Sequence, residues 1–184
     1  MIGKIFINKM DKIKKELITN QVIRVILSFI VLFGFNLPLF IKILLIIIFD
    51  FTDVLIPFYV SENDFDLYQK YDKVGDIFIY TAIWFYYIQF ISSPGPLKLY
   101  ITFLYIFRLF GYLIYYNNGG DHKIFVIFPN LFLESLFVIS FLEFLGYPFQ
   151  KYFYLYVGLL ILTVFFKIIQ ELYIHTNVLN IFKN

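Results

Sequence analysis

A chain of 184 residues that is 61% hydrophobic and only 15% charged, with a mean hydropathy of +0.80, belongs largely in lipid, because soluble globular proteins carry about a quarter charged residues. Its formal net charge is +2, and no nucleic-acid partner is expected. The absence of cysteine excludes disulfides, zinc–thiolate sites and thiol nucleophiles together, so any metal must be held by oxygen or histidine.

In chain order, Ile2, Ile5, Phe6, Met10, Ile13 and Leu17 recur at helical spacing with lysines between them. Residues 1–18 therefore read as an amphipathic helix lying on an anionic membrane surface. Asp11 and Glu16 interrupt the basic region and no small-residue cleavage site follows, so the segment is expected to stay in the mature protein.

About 20 apolar residues in a helix cross the hydrocarbon core, and the polar punctuation then yields six spans within residues 21–173. The first two, 21–36 and 38–56, meet at Asn36-Leu37-Pro38, since proline disfavours helix in the residue before it. The third opens near Asp72 and ends at "SSPGP" (92–96). The fourth, 97–116, closes at "NNGG", the fifth, 123–145, at "GYP", and the sixth covers 150–173. The expected fold is an all-α membrane protein of six transmembrane helices with an N-terminal interfacial amphipathic helix, a single integral domain over 1–184.

Six spans place both termini on one side. With the N-terminus cytoplasmic, only Lys42, Lys98 and Lys151 fall on the far side and all other Lys and Arg face the cytoplasm, which satisfies the positive-inside rule. A multi-pass protein with cytoplasmic termini is expected.

The second span ends in Asp50 and Asp53 and the third opens with Asp72 and Asp76. A charge at the membrane centre costs on the order of 3 kcal/mol, so carboxylates at span ends ask for a reason. Residues three or four apart share a helix face, and two helices joined by a loop can turn those faces together. Four converging carboxylates repel by up to ~4 kcal/mol per close pair at an effective dielectric near 20, which favours a bound cation. Carboxylates without His or Cys select hard ions such as Mg²⁺, Mn²⁺ or Ca²⁺, and Mg²⁺ commonly holds phosphates. The cytoplasmic interface then suggests lipid headgroup chemistry.

The arrangement Asp50-x-x-Asp53 followed by Asp72-x-x-x-Asp76 resembles the signature of the CDP-alcohol phosphatidyltransferases, D-x-x-D-G-x-x-A-R and then G-x-x-x-D-x-x-x-D. In addition, "ITNQVIRVIL" (18–27) is similar to the P-N-x-L-T-x-x-R opening of the first span in phosphatidylglycerophosphate synthases. Val54, Pro57, Phe58 and Tyr68 stand where the family has Gly, Ala, Arg and Gly.

The resemblance implies Mg²⁺ or Mn²⁺ ligated by Asp50, Asp53, Asp72 and Asp76, with Asp76 also the general base. It implies a CDP-linked lipid or alcohol donor, an alcohol acceptor, release of CMP and pairing of two copies. For a phosphate-bearing acceptor the candidate cations are Arg108 and Lys123, the alternative for Arg108 being to snorkel to the interface. The altered Gly, Ala and Arg positions open a second expectation, a family member that acts as a membrane scaffold or regulator. Glu134 and Glu143 are expected to contact Arg108 or line a helix interface. His122 and His175 read as solvated, as do Asp64 and Asp66, which are rival ligands should the helix ends shift.

Overall fold

Proline and glycine divide the chain into helices. The computed structural model describes residues 2–53, 62–121 and 123–173, with side chains from 15 onward except 16, 51–53 and 62–69. Among them there are helices and no strand. Helix α1 (Ile2–Phe29) passes into a π-helical turn (Ile30–Gly34), and Phe35 is extended. Pro38 restarts the chain as α2 (Leu39–Asp53), its carbonyl accepting the Ile41 and Lys42 N–H groups at 3.0 and 3.2 Å. Helix α3 (Glu62–Phe90) ends before Ser92-Ser93-Pro94, and α4 (Gly95–Asn117) begins immediately after Pro94. The turn to the short α5 (Ile124–Ile127) uses Gly119 and Gly120 at φ of 70° and 92°, a region open to glycine without strain. Helices α6 (Leu131–Phe144) and α7 (Phe153–Tyr173) complete the bundle.

Four stretches are long and apolar enough to cross a membrane: residues 17–34, 95–117, 124–144 and 153–173. They coincide with the first, fourth, fifth and sixth expected spans. The other two elements differ from expectation for identifiable reasons. The described part of α2 has 15 residues and rises only ~22 Å at 1.5 Å per residue. Helix α3 begins at Glu62, ten residues before Asp72, so its first half carries the charges of "ENDFDLYQKYDK". At the N-terminus no break separates residues 2–18 from the first span, because nothing between Asp11 and Phe29 is a glycine or a proline. The faces of that N-terminal segment lie outside the described side chains.

The fifth expected span is also interrupted. Pro129 forces Phe128 off the helix (φ −114°, ψ 64°) and separates α5 from α6. Gly111 of α4 lies so close that a Cβ there would sit 2.6 Å from Phe128 Cβ.

Helix α1 packs on α3, α2 on α6, α3 on α4, and α6 on both α4 and α7. Leu32, Ile43, Ile83, Ile101, Leu136 and Ile139 fill the core. Of α7 only Tyr156 and Glu171 are fully buried; Leu159, Leu160 and Val164 pack partly against the core, and the opposite side of the helix is exposed and apolar. At the end formed by residues 34–39, 91–94 and 145–152, two lysines finish helices. Lys42 Nζ donates to Leu32 O (2.6 Å) and Tyr86 Oη (2.8 Å), and Lys98 Nζ donates to Ile88 O (2.9 Å). Cations there complement the terminal carbonyls and the helix dipole.

The close passage at Gly111 is testable. Gly111→Ala must push α4 away from the Phe128–Asn130 break, and overpacking of this kind costs about 1–3 kcal/mol. A thermal melt of the protein in detergent should show a lowered midpoint, and an unchanged midpoint would contradict the packing.

Candidate functional site

Arg24 is the one charged residue of "VIRVILSFIVLFGF", in the most apolar part of α1, and it is 4% exposed. Its guanidinium reaches into the groove between α2 and α3. Nη1 donates to Asp50 Oδ1 at 2.9 Å and to Asp72 Oδ1 at 3.0 Å, while Nη2 donates to Asp76 Oδ1 at 2.6 Å. From α3 itself Lys73 Nζ donates to Asp72 Oδ2 at 2.5 Å and lies 3.4 Å from Asp76 Oδ2. Tyr112 of α4 completes the group, its hydroxyl donating to Asp76 Oδ2 at 3.2 Å. Asp72 and Asp76 are buried, and the Asp50 side chain is 49% exposed.

The sequence places these groups by helix geometry. Asp72 and Asp76, one turn apart, point the same way from α3, and Asp50 near the end of α2 meets them across the gap. Gly75 lets α1 approach: a Cβ there would stand 2.6 Å from Gln21 Oε1 and 3.2 Å from Arg24 Nη2. Asp50, Asp72 and Asp76 each offer a carboxylate oxygen, all within 4.8 Å of one another, a set that could hold a metal ion. Metal–oxygen distances of ~2.0–2.6 Å put ligand oxygens up to about 5 Å apart around one ion, so the span fits a hard divalent cation. The described side chains supply three carboxylates against two protein cations, which leaves a negative balance.

Three of the four expected ligands therefore come together. The side chain of the fourth, Asp53, lies outside the described residues, as do His122, His175 and the side chains of Asp64 and Asp66; Val54, Pro57, Phe58 and the Tyr68 side chain are also outside them. Arg108 is buried beside the cluster but turned elsewhere. Its Nη1 donates at 2.5 Å to Phe128 O, the carbonyl freed at the Pro129 break, and its plane lies over the rings of Phe125 (4.4 Å) and Tyr112 (4.9 Å). Lys123 is exposed at the start of α5, where its N–H is received by Asp121 Oδ1. Glu134 pairs with Lys167 of α7 at 2.7 Å, and Glu143 accepts from Ser93 Oγ at 2.7 Å. Both line helix interfaces, and their described partners do not include Arg108.

Sequence reasoning did not single out Arg24, Lys73, Gly75 or Tyr112 as members of the site. For Arg24 a signal existed, a single arginine inside an apolar run, which must find a partner. Lys73 stands next to Asp72 in sequence. Tyr112 carries no signal in a chain with 16 tyrosines.

What fold and site define is an all-helical membrane protein with an oxygen-rich acidic cluster held between three of its helices. No family model, curated protein or solved structure matches the chain.

Removing Arg24 leaves Asp72 and Asp76 buried against each other, and breaking a buried pair costs roughly 3–5 kcal/mol. The exposed Asp50 pair adds little to this. Arg24→Gln should therefore lower the thermal midpoint markedly, and millimolar Mg²⁺ should restore part of the loss while EDTA removes it again. A midpoint equal to that of the native protein, with no response to Mg²⁺, would refute the central role given to Arg24.

Proposed function

We infer that the protein is a divalent-metal-dependent transferase that moves a phosphatidyl or phosphoalcohol group from a CDP-linked donor to an alcohol acceptor, releasing CMP. One observation supports this above the others. Asp50, Asp72 and Asp76, whose spacing resembles the CDP-alcohol phosphatidyltransferase signature, come from two helices to within 4.8 Å of one another. In this reading α2 and the apolar half of α3 add two crossings to the four apolar helices, making six, with the acidic cluster and both termini cytoplasmic and two copies paired.

Asp50, Asp72 and Asp76, with Asp53, would hold Mg²⁺ or Mn²⁺, which would supply charge stabilisation at phosphoryl oxygens. The chain's own groups do the rest. Asp76 takes the proton of the acceptor hydroxyl while the alcohol oxygen forms a bond to phosphorus and the bond to CMP breaks. Tyr112 Oη and Lys73 Nζ orient the carboxylate for that transfer. Arg24, placed among these carboxylates, carries a planar fork of a geometry suited to the donor's diphosphate. Lys123 is exposed and accessible to an acceptor phosphate, whereas Arg108 serves that role only if it leaves Phe128 O.

A specific observation favours a second reading. Arg24 and Lys73 already satisfy the carboxylates, as a structural ion-pair network would, and this suits a membrane scaffold or regulator that retains the site without turnover.

The discriminating experiment is incorporation of labelled alcohols by the purified protein with CDP-diacylglycerol and Mg²⁺ or Mn²⁺, across a panel of acceptors. Incorporation with one acceptor is the expected result. Asp76→Asn should reduce it by about 10²-fold or more, the range for a lost general base, while CDP still binds in the presence of Mg²⁺. No incorporation with any acceptor, together with no CDP binding by calorimetry, would leave the scaffold reading.

A further inference from the structure

The geometry points to a phospholipid site at the end of the bundle away from the aspartates, where a primary-ammonium headgroup sits on Glu143 and an acyl chain lies in the groove between α4 and α7. This is independent of the transferase reading. Asp76 lies 14 residues before the end of α3 at Phe90, roughly 20 Å along the helix axis, so the two sites do not share groups.

Two cavities meet at Phe149. The first, about 610 Å³, is polar and lies between the α3–α4 turn, with Ser92 and Ser93, and the α6–α7 connection, with Glu143 and Gln150. The second, about 400 Å³, is an apolar groove walled by Leu97 and Tyr100 of α4 and by Val157 and Leu160 of α7. Both volumes lie within the ~300–1,000 Å³ range of small-molecule sites. Phe149 forms the common wall, fixed by edge-on contacts to Phe153 (5.5 Å) and Tyr156 (5.4 Å).

The groove exists because α7 rests on α6 and α5, so its flank toward α4 stays open. Leu155, Ile161, Leu162 and Phe165 leave the outer side of α7 apolar and exposed, so the groove opens onto the bilayer. An acyl chain is what that surrounding supplies.

Charge selects the headgroup. Glu143 is the one ionisable residue lining the polar cavity, and Ser93 Oγ holds it by a 2.7 Å hydrogen bond to Oε1. A carboxylate has acceptor sites to spare for an ammonium. Among the described residues no cation lines this cavity: Lys98 is held on Ile88 O at 2.9 Å, and Lys151 is exposed beside the Tyr152 ring. A headgroup whose only charge is negative would face Glu143 without compensation. A zwitterionic headgroup places its ammonium on Glu143 and its phosphate toward the Ser92 hydroxyl and the Gln150 amide at the rim.

Native mass spectrometry of the full chain released from detergent tests this with phosphatidylethanolamine and phosphatidylglycerol of identical acyl chains. The native protein should retain phosphatidylethanolamine at about tenfold lower lipid concentration, the value of one charge-assisted hydrogen bond. Glu143→Gln should erase that preference, with phosphatidylethanolamine retained less and phosphatidylglycerol no less than by the native chain, and continued phosphatidylglycerol binding also shows the variant to be folded. Leu160→Trp, which fills the groove, should weaken retention of both lipids. Equal or tighter retention of phosphatidylglycerol by the native chain, or retention of phosphatidylethanolamine at native strength by either variant, would overturn the proposal.

Discussion

The contact of one guanidinium with three carboxylates fixes the arrangement of the first three helices. Arg24 is buried in the apolar part of α1, and a charge there is tolerable only with full compensation. Asp72 and Asp76 supply most of it from α3 and the half-exposed Asp50 adds a third contact from α2. The reverse also holds, since carboxylates this close repel strongly unless a cation stands among them. Gly75 suits the same constraint, because a Cβ there would displace the end of the Gln21 side chain and crowd Arg24 Nη2. Tyr112 extends the network to α4, so four helices are registered by one polar cluster.

The remaining cations inside the bundle are satisfied largely by backbone carbonyls, with aromatic side chains beside them. Lys42 and Lys98 end on carbonyls at the close of the π turn and of α3. Arg108 uses a carbonyl of a different origin. In an unbroken helix Phe128 O would accept from residue 132; Pro129 displaces it, and Arg108 donates to it instead. The proline break and the arginine thus solve each other's hydrogen-bonding problem, and Gly111 allows the approach. Irregular backbone at this depth is acceptable because it is enclosed by protein.

Much of this was legible in the residues. Asp72 and Asp76 read correctly as sharing a face, because four-residue spacing fixes a helix face whatever surrounds it, and the breaks at Pro38, Pro94 and Gly119-Gly120 read correctly because those residues act locally. The start of α3 did not. A stretch such as "ENDFDLYQKYD" carries no apolar signal, and its helicity rests on intrinsic propensity and continuity with the apolar half that follows. Pro129 was hidden inside a run apolar enough to pass as one span. Arg24 was legible as an anomaly but its partners were not, because contacts between α1 and α3 span 48 and 52 residues and depend on packing.

The two readings of the acidic cluster differ by an exchange of cations. Arg24 and Lys73 together carry the charge of one divalent ion, so replacing them at the carboxylates leaves the electrostatic balance nearly unchanged while freeing two donors. The exchange is easiest at Asp50, which is half exposed and bound only at Nη1, and hardest at Asp76, which Arg24, Lys73 and Tyr112 hold together. An entering cation would therefore meet Asp50 first and Asp76 last. That order suits a site in which Asp76 stays oriented as a base while the outer ligand exchanges. In a purely structural network the half-exposed Asp50 pair adds only a small share to the Arg24 contacts, so the two readings part at Asp50, the carboxylate an entering cation reaches first.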